Sequence, residues 1–174
     1  MSKINLLNSF KEFCKKNKFE INFSQIKVIV ELDKFLNSKK TIFNSILHKN
    51  NKLCFYLFGS VGVGKTMILN FIYDQLNIKK LRLHFNEFMI NFHDFKHNNA
   101  KKEGNLVSLF VKNLKKKYEL IYLDEFQVTN IVDAMILGKL FEEIFSENIK
   151  IIITTNIKLD DLYKDGLQRE QFLP

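Results

Sequence analysis

Eight residues, Gly59-Ser60-Val61-Gly62-Val63-Gly64-Lys65-Thr66, have the types and spacing that hold a phosphate. The glycines let the backbone curl round an anion, and a helix that starts there aims its free N–H groups at it. Lys65 reaches the outer phosphates, and the Thr66 hydroxyl is a ligand for Mg²⁺. The context is the required one, since the apolar run Leu53–Phe58 precedes the loop and a helical pattern with Met67, Ile68, Leu69, Phe71 and Ile72 follows it. Gly59, Ser60, Val61, Gly62, Val63, Gly64, Lys65, Thr66 and Met67 are therefore the candidate nucleotide-contacting residues.

A second set of chemical groups ends another apolar run, Leu120-Ile121-Tyr122-Leu123, in Asp124-Glu125. Strands buried on both faces read as continuous apolar residues, and ligand-facing groups belong at their carboxyl ends. Asp124 is the candidate Mg²⁺ residue, acting mostly through the ion's water shell, and Glu125 the candidate that polarises an attacking water. A third run, Ile149–Thr155, delivers Asn156, whose amide both donates and accepts and so suits the positioning of a water near a terminal phosphate.

Two further features are open. Arg169, one of only two arginines with Arg82, is a candidate for stabilising charge on a transferring phosphoryl group; a surface ion pair with Asp165 or Glu170 explains it equally well. His93 and His97 share a helical face at the spacing of zinc proteases, but Asp94 stands where that motif needs Glu and no third ligand is evident. The series Phe85, Phe88, Phe92 and Phe95 around them reads as core, with a stacking platform for single-stranded nucleic acid as the weaker reading.

The elements that must position these groups are legible as alternation. Strands are expected at Leu53–Phe58, Lys80–Phe85, Leu120–Leu123 and Ile149–Thr154, with helices at Lys65–Leu76, Phe88–His97, Leu106–Lys116 and Ile131–Phe145 between and after them. Such alternation argues for an α/β fold with a mainly parallel sheet covered by helices on both faces. The first fifty residues carry helical stripes instead, with caps expected at Ser2, Ser24 and Thr41. The expected organisation is an N-terminal helical segment, 1–50, packed on a nucleotide core, 51–174.

The 46% hydrophobic composition with 18 phenylalanines is enough to fill a core, so disorder is not expected. The net charge of +8 is carried by scattered lysines, which read as solvated faces rather than a dedicated nucleic-acid surface. Cys14 and Cys54 form no metal-binding spacing and fit a reduced cytosolic protein. No run is long and apolar enough to span a bilayer, and the first residues lack a secretory or transit pattern. The expected location is cytoplasmic.

Four stretches together resemble the ZapE cell-division ATPases and their mitochondrial AFG-type relatives: Gly59–Leu69, His84–Met89, Asp124–Leu137 and Leu162–Glu170. The run Asp124-Glu125-Phe126-Gln127-Val128-Thr129 is the specific one, because generic AAA+ proteins share only the acids. The resemblance implies an AAA+-like P-loop NTPase core, a three-layer sandwich with N-terminal helices, binding ATP and Mg²⁺. It implies ATP hydrolysis coupled to remodelling a protein client, FtsZ at the division ring or a membrane-associated protein in quality control. It also implies assembly with copies of itself and a peripheral location at the inner membrane or division site. Nucleic acid is not the expected partner.

By that resemblance Lys65 and Thr66 are the phosphate and Mg²⁺ residues, Asp124 and Glu125 the acidic pair, Asn156 the sensor and Arg169 the finger. Asn86, Asn130 and Thr155 depart from the family's usual His, Asp and Ser without removing a catalytic group. Family members continue past the equivalent of Phe172-Leu173-Pro174 through a further strand and a helical lid, so the final core strand and the lid are expected to be missing here. In the family's strand order the absent strand would neighbour Leu53–Phe58, leaving it an apolar edge. A nucleotide-binding remnant without turnover and a helicase-loader-like nucleic-acid ATPase are the alternative functions.

Overall fold

The structure, a computed structural model, describes residues 6–37, 52–101, 104–164 and 166. It divides into two compact units. The first comprises residues up to Phe55 together with Val61–Asn77; the second comprises Tyr56–Ser60 and everything from Ile78 on.

The first unit holds α1 (Leu6–Asn17), α2 (Phe23–Asn37) and α3 (Lys65–Gln75), with Cys54 and Phe55 from the start of β1 (Cys54–Phe58). On α1 the buried residues are Leu6, Phe10 and Cys14, four apart, so one narrow stripe faces inward. Phe10 meets Phe71 of α3 edge-on at 5.2 Å, and Phe13 lies 5.3 Å from the same ring. Each fully buried aromatic of this kind contributes about 1.5–3 kcal/mol, which is what fastens α1 to α3.

The start of α2 differs from expectation. Ser24 does not cap it; Asn22 does, its Oδ1 accepting from Gln25 N–H at 2.8 Å while Gln25 Oε1 accepts from Asn22 N–H at 3.3 Å. This reciprocal box satisfies two otherwise unpaired helix donors at once, which a serine at the second helical position cannot do. The caps expected at Ser2 and Thr41 lie outside the described residues.

In the second unit, Tyr56–Phe58 of β1 joins β2 (Lys80–His84), β3 (Leu120–Asp124) and β4 (Lys150–Thr155) in one sheet, ordered β1-β4-β3-β2. The β2–β3 and β3–β4 pairs are parallel. β3 is interior and buried along its first four residues, and Ile151–Thr155 of β4 are buried throughout, as continuous apolar runs require. Among the described strands β1 lies at one end of the sheet, as expected for Leu53–Phe58.

The helices of this unit are α4 (Phe85–Asn98), α5 (Leu106–Lys117) and α6 (Ile131–Ser146). α4 begins three residues earlier than its sequence pattern suggested. Phe85 is its first residue rather than the last of β2, because Phe85, Phe88 and Phe92 share one buried helical face. Their rings meet Phe126 at 4.5 Å, and Phe110 at 5.9 and 5.3 Å, so they are spent on the core and offer no stacking platform. Asn105 and Asn130 cap α5 and α6 through their side-chain oxygens; at position 130 an asparagine caps as well as an aspartate. Among the described residues no helix is long and apolar enough to cross a membrane.

Candidate functional site

In the first unit the loop residues Val61–Gly64 run into α3, and Lys65 and Thr66 are its first two residues. Gly62 and Gly64 have φ of +83° and +89°, conformations that side-chain-bearing residues rarely adopt. Gly64 is the N-cap of α3 and has no side chain with which to cap the opening turn, the end of a helix that favours an anion. Its carbonyl accepts the first helical bond, from Ile68 N–H at 3.0 Å. Met67 follows within the first turn. The remaining loop residues, Gly59 and Ser60, belong to the second unit, where Gly59 N–H donates to Thr155 O at 3.3 Å. That bond sets the first residue after β1 beside the last residue of β4.

The same edge of the second unit carries the acids. Asp124 is the last residue of β3, and both of its oxygens are held. Arg82 of β2 donates from Nε to Oδ2 at 2.6 Å, and Thr154 of β4 donates from Oγ1 to Oδ1 at 2.9 Å. The strand register explains the meeting. Tyr122 lies opposite Arg82 on one side and Ile152 on the other, and Asp124 and Thr154 are two residues further along on the same faces. Asp124 is thus fixed from both neighbouring strands, while each carboxylate oxygen keeps a further lone pair for a water or an ion.

Glu125 leaves the strand with φ +54°, the left-handed region, and its side chain is 80% exposed. His84 Nδ1, from the residue that caps α4, lies 3.5 Å from its Oε2. The turn is pinned directly behind it. Phe126 N–H donates to Thr154 O at 2.8 Å, and Phe126 O accepts from Thr155 Oγ1 at 2.6 Å. The Phe126 ring is buried among Phe85, Phe141 and Tyr56. A threonine hydroxyl at position 155 makes these bonds as a serine would, and also accepts from Ile157 N–H at 3.1 Å. Asn156 is the exposed residue just past β4.

The second unit therefore brings Gly59, Ser60, Asp124, Glu125 and Asn156 to one sheet edge, while Lys65 and Thr66 open α3 in the first unit. Arg169 lies outside the described residues. His93 does not pair with His97; it meets Asp133 at 2.7 Å, and among the described residues no group of three metal-ligating side chains forms.

Arg82, Thr154 and the backbone of Phe126 are not among the sequence's candidate site residues, yet they hold the site's acidic edge. Arg82 stood between Leu81 and Leu83 as one of only two arginines, a signal that something buried and anionic faces it. What it faces depends on which strand lies beside β2.

A profile of the AFG1-like ATPases matches residues 19–174. The chain belongs to that family. Two curated relatives are similar to the chain over most of its length. Cell division protein ZapE of Escherichia coli is 37% identical over 120 residues, 68% of this chain and 32% of that protein. Lactation elevated protein 1 homolog B of Danio rerio is 37% identical over 131 residues, 69% of this chain and 26% of that one. The chain thus spans about a third or less of the curated relatives it matches.

Among solved structures, DnaI superposes with a TM-score of 0.54 at 22% identity, covering 89% of this chain and 79% of that one. A putative primosome component from Streptococcus pyogenes gives 0.55 at 17%, covering 88% and 75%. At such identities the likeness is one of fold, and it agrees with the α/β architecture described above.

Proposed function

We propose that this chain binds ATP at Gly59–Met67 and hydrolyses it with the help of Mg²⁺. The observation that carries the reading is the double anchoring of Asp124 by Arg82 and Thr154 on the edge where Gly59 begins the phosphate loop. The donor set suits Mg²⁺: a carboxylate and the Thr66 hydroxyl are hard oxygen ligands, and the ion takes its remaining places from water and phosphate. When bound, the ion supplies charge neutralisation between the outer phosphates.

The chain's own groups then divide the work. The loop's N–H groups and Lys65 hold the phosphates, and Asp124 orients the ion's waters. Glu125, exposed at the same edge, accepts a proton from the attacking water, whose position Asn156 fixes with its amide. The organisation proposed is an N-terminal helical segment, 1–50, on a nucleotide core, 51–174.

The relatives' names and the family resemblance support a role in remodelling a protein client, in cell division as for the protein named ZapE, through oligomers of the chain. Steady-state phosphate release tests the hydrolytic reading. Glu125→Gln is expected to abolish turnover and keep ATP binding, and Lys65→Ala to abolish binding. Equal phosphate release by the parent protein and Glu125→Gln would sink the assignment.

A further inference from the structure

The phosphate loop has a polar neighbour that none of its motif residues accounts for. Gln25, in the first turn of α2, is only 8% exposed. Its backbone N–H and its Oε1 are both engaged by Asn22, at 2.8 and 3.3 Å. Because Asn22 N–H needs an acceptor, the carboxamide has one orientation, oxygen toward Asn22 and nitrogen away. That nitrogen lies against Gly64: a Cβ placed on Gly64 would fall 2.9 Å from Gln25 Nε2 and 3.4 Å from Met67 Cε. Among the described residues Nε2 has no hydrogen-bond acceptor. Gln25 Nε2 keeps a little access to solvent; it is a donor with no protein partner among those residues at the N-cap of α3, where a helix start receives an anion.

We propose that Gln25 is a nucleotide-binding residue, its Nε2–H donating to an acceptor atom of the nucleotide in the loop. This rests on the nucleotide reading of Gly59–Thr66 and adds a ligand contact from the N-terminal helices. The same closeness bears on Gly64 beyond its φ of +89°, since a Cβ there would oblige the end of the Gln25 side chain to shift. Nucleotide binding would then complete the only unmet bond of the α2 capping box, so that α2 registers whether the loop is filled.

Two substitutions separate the donor from its surroundings. Gln25→Glu keeps an oxygen for Asn22, and glutamate is the other residue that closes such a box, but it replaces the donor with an acceptor. Gln25→Met is similar in size, uncharged, and lacks the donor. ATP binding is measured by calorimetry on the whole chain, with thermal midpoints recorded alongside. Both variants are expected to weaken ATP at least about tenfold, the loss of one hydrogen bond to a charged or strongly polar group, with the Gln25→Glu midpoint near the parent's. Parallel measurements with tripolyphosphate locate the acceptor. An equal loss puts it on the phosphates, and a loss confined to ATP puts it on the sugar or base.

Binding within twofold of the parent in either variant overturns the proposal; in Gln25→Met alone it would reveal mere charge repulsion in the glutamate. If the parent binds ATP and Lys65→Ala abolishes it while the Gln25 variants bind normally, only this inference falls. If the parent does not bind ATP, the nucleotide reading falls with it.

Discussion

Arg82 Nε lies 2.6 Å from Asp124 Oδ2, with the two side chains 27% and 14% exposed. An arginine on β2 thus faces a carboxylate that motif reasoning would assign wholly to metal. The two roles are compatible. The guanidinium fixes one oxygen and the Thr154 hydroxyl the other, so the carboxylate loses no orientational freedom when it acts.

Removing either support has a graded consequence. Arg82→Met leaves a mostly buried carboxylate without its cation, which is expected to cost about 1–3 kcal/mol of stability. Thr154→Val removes one neutral donor at nearly constant shape and is expected to cost about 1 kcal/mol. Urea denaturation measures both, and phosphate release should fall in each while ATP affinity holds. If Arg82→Met is as stable as the parent, the ion pair carries no weight in the fold.

Phe126 explains why the specific part of the motif extends beyond the two acids. Its ring is 2% exposed and its backbone is bonded on both sides to β4, at Thr154 and Thr155. Phe126→Ala is expected to lose about 3–5 kcal/mol, the usual cost of emptying an aromatic site. Phe126→Leu should lose less and retain more turnover. Thermal and urea unfolding of the two variants checks the order, and equal losses would show that ring volume is not what holds the turn.

The strands, the helices after them and the chemical groups at their ends were legible because apolar runs and helical stripes are local signals. Lys65, Thr66, Asp124 and Asn156 each follow or open an element whose period is visible in the sequence. Strand order and register are not local. Arg82 reaches Asp124 across 42 positions of chain only because β2 pairs with β3 in the register that sets Arg82 opposite Tyr122. The boundary at Phe85 and the cap at Asn22 were misplaced for a related reason. Each is decided by a partner three residues on, Phe88 in one case and Gln25 in the other, which makes a competing local reading lose.

Cys54 offers a pH dependence of defined sign. Burial at the start of β1 pushes its thiol from the ordinary 9.0 up to about 11, so the folded state favours the neutral form. A raised folded value means that the contribution to stability is fully present below about pH 9 and is lost as pH rises toward 11. The denaturation midpoint of the parent should therefore fall more steeply between those values than that of Cys54→Val. At pH 8 only about one thiol in a thousand would be thiolate, so Ellman's reagent should label Cys54 slowly until the protein is unfolded. Rapid labelling in the native state would contradict the burial.

Glu125, the proposed proton acceptor, stands on a strained backbone, and the two demands can be separated. At φ +54° a residue with a Cβ costs about 1–2 kcal/mol relative to glycine. Glu125→Gly removes that strain, offset in part by the greater freedom of glycine in the unfolded chain. Glu125→Ala keeps the strain, and both variants lose the contact with His84. The glycine variant is expected to be about 1 kcal/mol more stable than the alanine variant, and neither should turn over ATP. Two results in one experiment would then distinguish the causes. A stability gap without activity in either variant ties the strain to the turn and the chemistry to the carboxylate. Activity surviving in Glu125→Gly would show that another group accepts the proton, and equal stabilities would show that the turn relaxes out of the left-handed region once the carboxylate is gone.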